Sequence, residues 1–213
     1  MSLVHVIRHG EVYNPDKVLY GRLPGFRLSD FGEAQADKTA EALEGRDITY
    51  LVSSPLERAI QTASPLAEAL GLPIERDERL IEAANRFQGQ RVAGGTGRIA
   101  APSNWRLLYN PLRPSWGEPY GEIAARVRAA VVAAAAAADG HEAACVTHQL
   151  PVVALRRSVL GQRLWHDPRQ RQCALASVTT FDVDLEHGDG AELRFYGYSE
   201  PAGATPTGYV GGA

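Results

Sequence analysis

The chain has 213 residues, 45% hydrophobic and 22% charged, the proportions of a globular protein long enough to bury a core without disulfide or metal staples. Its 22 basic and 25 acidic side chains leave a net charge of −3, which excludes the broad basic surface of a general nucleic-acid or anionic-membrane binder. Cys145 and Cys173 are the only cysteines, too few for a disulfide scaffold or a thiolate metal cage, so a reducing, cytoplasmic setting is expected.

The N-terminus shows no signal-peptide pattern. The longest apolar run, Ala129 to Ala138, is mostly alanine and too short to cross a bilayer. One bias stands out: only Lys17 and Lys38 are lysines, so 20 of the 22 basic residues are arginines. GC-rich codon usage explains most of such a bias, but planar arginine forks are also what a compact anion site needs.

Taken in chain order, Leu3–Ile7 reads as a strand. Ser29 or Asp30 can cap a helix over Phe31–Leu43, and Asp30 with Glu33 has capping-box spacing. Ile48–Ser53 reads as a second strand. Leu56–Leu70 reads as a helix that Pro65 should kink or split, and Leu72–Glu75 as a weak third strand. Gly121–Ala138 reads as a helix, with Ile123, Val127 and Val131 four apart on one face. Ala144–Thr147 reads as a buried strand, and Pro151 suits the first turn of a helix ending at Leu160. Val178–Val183 and Leu193–Tyr198 close the pattern as strands, with a turn at Gly188–Gly190.

Repeated strand-helix-strand units imply an α/β fold of three layers, a mostly parallel central sheet between two layers of helices. One domain over residues 1–198 is expected. Residues 83–120 lack this pattern and read as an insertion or lid over the carboxyl edge of the sheet. They hold Arg86, Arg91, Arg98, Arg106 and Arg113, with Phe87, Trp105, Tyr109 and Trp116 between them. These fit substrate recognition and a solvated surface with a small core equally well. Residues 199–213 read as a mobile tail. No exposed apolar stripe specifies an oligomeric state.

Ligands of such folds sit at the carboxyl ends of the strands. The first strand runs into Arg8-His9-Gly10-Glu11, the second into Ser53-Ser54-Pro55 with Arg58 in the following helical turn, and the Ala144–Thr147 strand into His148. Any one of these is as compatible with a surface arginine or a half-buried histidine as with function. Three strand ends presenting His or Arg to one place describe an anion pocket. In phosphoryl transfer, charge spreads over the equatorial oxygens. Arg8 and Arg58 could hold two of them, protonated His148 the third, and neutral His9 could attack phosphorus in line. The leaving alcohol then needs an acid. Glu82 follows the third strand among apolar neighbours, but spacing alone does not distinguish it from Glu11, Glu78 or Glu118.

These segments resemble the histidine phosphatase superfamily, the phosphoglycerate mutase-like family. The matching residues are Val6-Ile7-Arg8-His9-Gly10-Glu11 with Asn14, Leu28-Ser29 to Gly32 with Gln35-Ala36, Ser53 through Ala63, Val146-Thr147-His148, and more faintly Gly117-Glu118 ahead of Arg126-Val127. The resemblance implies a phosphoglycerate mutase-like fold. It also implies that His9 is the phosphorylated nucleophile, that Arg8, Arg58 and His148 surround the phosphate, that Glu82 is the proton donor, and that Asn14 lines the pocket. It implies no metal and no cofactor.

The chain departs from the family pattern at Gln149, where glycine is common, and at Pro119, where serine is common. Both lie near the expected pocket mouth, so Gln149 becomes a candidate substrate contact. Mutases that resemble this family carry a Glu-Arg-His-Tyr-Gly kind of stretch after the acid. Here Glu82 is followed by Ala83-Ala84-Asn85-Arg86, and no Lys or Arg lies beyond Arg194.

The expectation is therefore a phosphatase acting on a small phosphorylated metabolite, with no nucleic-acid or membrane partner. Mutase-type transfer and a phosphate-binding module without turnover are the alternatives. Gly95–Ala100 fits a dinucleotide-binding pattern but lacks the flanking strand and helix. No P-loop lysine is present, and zinc at His5, His9 and His148 lacks carboxylate partners.

Overall fold

The computed structural model describes residues 2–91, 117–166, 172–186 and 190–203. The element order is β1 (Ser2–Arg8), α1 (Asp30–Leu43), β2 (Ile48–Ser53), α2 (Glu57–Leu70), β3 (Glu75–Arg76), α3 (Tyr120–Ala137), β4 (Glu142–Thr147), α4 (Gln149–Val159), β5 (Val178–Asp184) and β6 (Glu192–Ser199). A short 3-10 turn, Glu78–Leu80, follows β3.

The six strands form one sheet in the order β3-β2-β4-β1-β5-β6. The run from β3 to β1 is parallel, and β5 and β6 are antiparallel additions at one side. The mostly parallel sheet expected from the sequence is what forms. Strand side chains alternate between two cores. Ile7, Leu51, Ala144 and Val146 pack with α1 and α2 on one face. Val4, Val6, Val52 and Cys145 pack with α3 and α4 on the other. With both faces covered, the free edge left for a ligand is the row of carboxyl ends.

Of the two cap candidates, Ser29 caps α1, its side chain accepting from the Gly32 N–H, while two other local expectations change. Helix α2 is not split at Pro65. An interior proline removes one helical hydrogen bond at a cost of about 3 kcal/mol, but Ala59 and Ala63 before it and Leu66 after it are all buried in the core and keep the helix in one piece. The third strand shrinks to Glu75–Arg76. Gly71, in the left-handed region at φ 66°, and a bond from the Leu72 N–H to the Ala67 carbonyl close α2, and Pro73 has no N–H to donate to a ladder.

Helix α3 buries Ile123, Val127 and Val131 as their spacing predicts. Of the expected insertion, residues 92–116 lie outside the described residues, and with them Arg98, Arg106, Arg113, Trp105, Tyr109, Trp116 and Gly95–Ala100. The start of the Gly188–Gly190 turn and tail residues 204–213 also lie outside. Among the described residues, no helix is long and apolar enough to cross a membrane.

Candidate active site

The parallel pairing of β1 with β4 sets Arg8 opposite Thr147. The residue after each strand is a histidine, His9 after β1 and His148 after β4. The ladder persists one residue further, with the His9 N–H donating to the Thr147 carbonyl at 3.0 Å. The backbone then turns at Gly10, whose N–H donates to Thr62 Oγ1 at 3.1 Å. Only glycine fits here, because a Cβ would sit 2.5 Å from the Gly32 carbonyl oxygen. Gly32 is under the same constraint, since its Cβ would meet the Glu11 carbonyl at 2.0 Å. The nucleophile loop is thus pressed against the start of α1.

His9 Nδ1 lies 2.7 Å from the Gly10 carbonyl oxygen. A carbonyl only accepts, so Nδ1 carries the hydrogen and Nε2 keeps its lone pair. Burial, then the charges of Arg58 and Arg8, hold this imidazole well below the usual histidine range, and a neutral ring is what nucleophilic attack requires.

Arg8 and Arg58 are both buried. Arg8 donates to the Cys173 carbonyl at 2.5 Å, and Arg58 to the Gly21 carbonyl at 2.7 Å. Arg58 also lies over the Tyr20 ring, 4.8 Å from its centroid. Tyr20 in turn meets His9 edge-on at 6.5 Å and stacks on Phe26 at 5.1 Å. Thr62, one turn along α2 from Arg58, accepts from Gly10 and donates to the Arg58 carbonyl at 2.7 Å. It ties the helix that carries Arg58 to the loop that carries His9.

His148 is fully buried. Its Nε2 pairs with Ser54 Oγ at 2.8 Å, and its Nδ1 has no hydrogen-bond partner among the described residues. The sequence suggests a protonated His148. Burial, then Arg58, His9, Arg126 and Arg8, hold it well below its usual range instead, so without a ligand it is neutral.

The structure separates the four acid candidates. Glu118 takes Arg126 on both oxygens at 2.7 and 3.1 Å, and Arg22 at 2.8 Å. Burial alone would raise its pKa, but Arg126, with Ala84 and Arg22, outweighs this and holds it below the usual carboxylate range. Glu11 accepts from the Ser29 hydroxyl at 2.7 Å, and Glu78 is exposed in the 3-10 turn.

Glu82 is 2% exposed. Its side chain accepts from the Ala83 N–H at 2.8 Å, and its carbonyl takes Arg22 Nε at 2.6 Å. Just before it, the Leu80 carbonyl accepts from Thr147 Oγ1, next to His148. Glu82 is thus brought to the Arg8–His148 end of the sheet.

The other two candidates differ. Both ends of the Asn14 side-chain amide bond the Val18 backbone, closing its own loop. Gln149 opens α4, partly exposed, directly after His148. Sequence reasoning missed Ser54, Thr62, Tyr20 and Arg22. A signal existed for Ser54, a small polar residue between a buried strand and a proline, but none for Tyr20 or Arg22, which lie in an aperiodic loop. His5, weighed as a zinc ligand, is engaged with Thr180 and Glu142. Among the described residues, no group of three His, Cys, Asp or Glu could hold a metal ion.

Two buried arginines, a neutral imidazole with its lone pair free, a second buried imidazole and a buried carboxyl can bind a tetrahedral oxyanion and receive a phosphoryl group. The histidine phosphatase superfamily (branch 1) matches residues 4–195. An uncharacterized protein of Mycobacterium tuberculosis is 54% identical over 199 residues, covering 93% of this chain and 96% of that one. A probable phosphoglycerate mutase of Citrobacter koseri is 30% identical over 185 residues, covering 84% and 85%. A mycobacterial glucosyl-3-phosphoglycerate phosphatase, solved in complex with VO3, superposes with a TM-score of 0.73 at 27% identity, covering 92% of this chain and 97% of that one.

Proposed function

The chain belongs to the histidine phosphatase superfamily, and from that premise we propose that it is a metal-independent phosphomonoesterase. It hydrolyses a small phosphorylated metabolite in the cytoplasm through a phosphohistidine at His9. The observation that carries this is the bond from His9 Nδ1 to the Gly10 carbonyl, which leaves Nε2 as a nucleophile on a ring that feels the charges of two buried arginines.

His9 Nε2 attacks phosphorus, the bond to the ester oxygen breaks, and the Glu82 carboxyl gives its proton to the departing alkoxide. Water then attacks the phosphohistidine, Glu82 takes the proton back, and the P–N electron pair returns to Nε2 as phosphate leaves. Arg8 and Arg58 hold the equatorial oxygens throughout. Guanidinium charge of this kind contributes roughly 10³–10⁵ in rate, part of the role a divalent cation fills at other phosphoryl-transfer sites. A dianionic phosphate also supplies the charge that lets His148 take a proton and donate through Nδ1.

Mutase-type transfer is the second reading, favoured by the 30% identity to a probable phosphoglycerate mutase. The residues after Glu82 favour hydrolysis. The test is 3-phosphoglycerate with a bisphosphate primer. Hydrolysis releases inorganic phosphate, and predominant conversion to the 2-isomer would establish the mutase instead.

A further inference from the structure

Beside Glu82, outside the phosphate pocket, lies a cleft of about 820 Å³, large enough for a leaving group of metabolite size. One of its wall residues bonds the candidate acid's backbone: Arg22 donates to the Glu82 carbonyl.

The phosphate pocket concentrates positive charge, and this cleft does not. Arg22 and Arg126 converge on one carboxylate, Glu118. Their other bonded donors go to main-chain carbonyls, of Glu82 from Arg22 and of Arg79 from Arg126. Among the described residues, the remaining charged lining is one guanidinium, Arg86, against two carboxylates, Glu78 and Glu122, none of them in a salt bridge. Glu122 is further favoured by its place in the first turn of α3.

Among these lining residues, a leaving group bearing a carboxylate or second phosphate would meet more acid than base. A hydroxyl both donates and accepts, so a polyhydroxyl group can give hydrogen bonds to Glu78 and Glu122 and receive them from Arg86 and the amides of Asn85 and Gln88, which also line the cleft. We propose that this cleft is the leaving-group subsite and that it takes an uncharged polyhydroxyl group, a sugar or polyol, in preference to an anionic one. The proposal rests on the phosphatase reading above.

The test compares kcat/KM for glucose 6-phosphate, 3-phosphoglycerate and p-nitrophenyl phosphate. Glucose 6-phosphate should exceed 3-phosphoglycerate by about tenfold or more, and the double variant Glu78→Gln, Glu122→Gln should narrow that ratio. Added salt should narrow it in the wild type too, since screening weakens repulsion of the anion. Preference for 3-phosphoglycerate, a ratio unmoved by the double variant, or one that widens with salt would overturn the subsite. Absence of turnover on all three esters would strike the phosphatase reading instead. The subsite is then decided by calorimetric titration of His9→Ala with the two metabolite esters. Tighter glucose 6-phosphate supports it, and equal or weaker binding overturns it.

Discussion

The imidazole rings of His9 and His148 stand 5.1 Å apart, centroid to centroid, inclined at 61°. They belong to sequence segments 139 residues apart, and strand register alone makes them neighbours, because Arg8 and Thr147, one residue before each, are partners in the β1–β4 ladder. The two rings face one pocket but have different hydrogen-bond partners. The carbonyl on His9 Nδ1 fixes a lone pair at Nε2, whereas the hydroxyl on His148 Nε2 allows Nδ1 to carry a hydrogen.

Removing that hydroxyl should therefore damage His148 selectively. In Ser54→Ala, a buried Nε2 loses its partner, a loss of about 1–3 kcal/mol. The variant should fold, bind substrate less well and turn over roughly ten- to a hundredfold more slowly. Steady-state kinetics with an aryl phosphate checks this, and wild-type rates would remove Ser54 from the account.

Acid should destabilise the protein through these same rings. Both fold with pKa values well below the ordinary 6.5. Below that value the unfolded chain takes up protons that the native pocket refuses. Their contribution to stability is therefore complete above about pH 6.5 and falls as pH drops toward the folded values. Two such groups give a slope of up to about 2.7 kcal/mol per pH unit. Denaturant melts between pH 7 and 5 should show this loss, with a shallower slope in His9→Ala. By the same shift, the acid limb of kcat/KM should lie below 6.5.

Tyr20 supports Arg58 from beneath. A buried cation–π contact contributes on the order of 1–2 kcal/mol, so Tyr20→Leu should raise KM about tenfold for every phosphate ester. Tyr20→Phe keeps the ring face over Arg58 and should therefore keep its KM closer to wild type than Tyr20→Leu does. Equal KM values for Leu and Phe would show that the ring does not hold the arginine.

Gly10→Ala and Gly32→Ala should each disturb the nucleophile loop, because each new Cβ meets backbone rather than a movable side chain. Thermal unfolding should show a loss of about 1–3 kcal/mol, with most activity gone. A silent Gly10→Ala would mean that the loop has slack the structure does not show.

The framework and four of the candidate site residues are legible in the sequence for a physical reason. Buried parallel strands announce themselves as short apolar runs, and whatever follows their last residue must face the ligand edge, which places Arg8, His9, Arg58 and His148. Glu82 was named but not separable from Glu11, Glu78 and Glu118. What separates them is burial and partner: Arg22 from a distant segment and Arg126, eight residues on, bind Glu118, while the Glu82 side chain is buried and bonds the Ala83 N–H. Tyr20 and Arg22 left no trace because a loop has no period to read. Asn14 matched a family position, yet its amide bonds Val18. The neutral state of His148 without a ligand is not legible, because a sequence shows that a histidine is present but not the desolvation around it.

The central claim is that His9 carries the phosphoryl group without a metal ion, and hydrolysis of p-nitrophenyl phosphate in excess EDTA tests it most directly. Wild type should retain its full rate under chelation and His9→Ala should lose it. Equal rates for the two proteins, or a wild-type rate abolished by EDTA and restored by a divalent cation, would contradict the account.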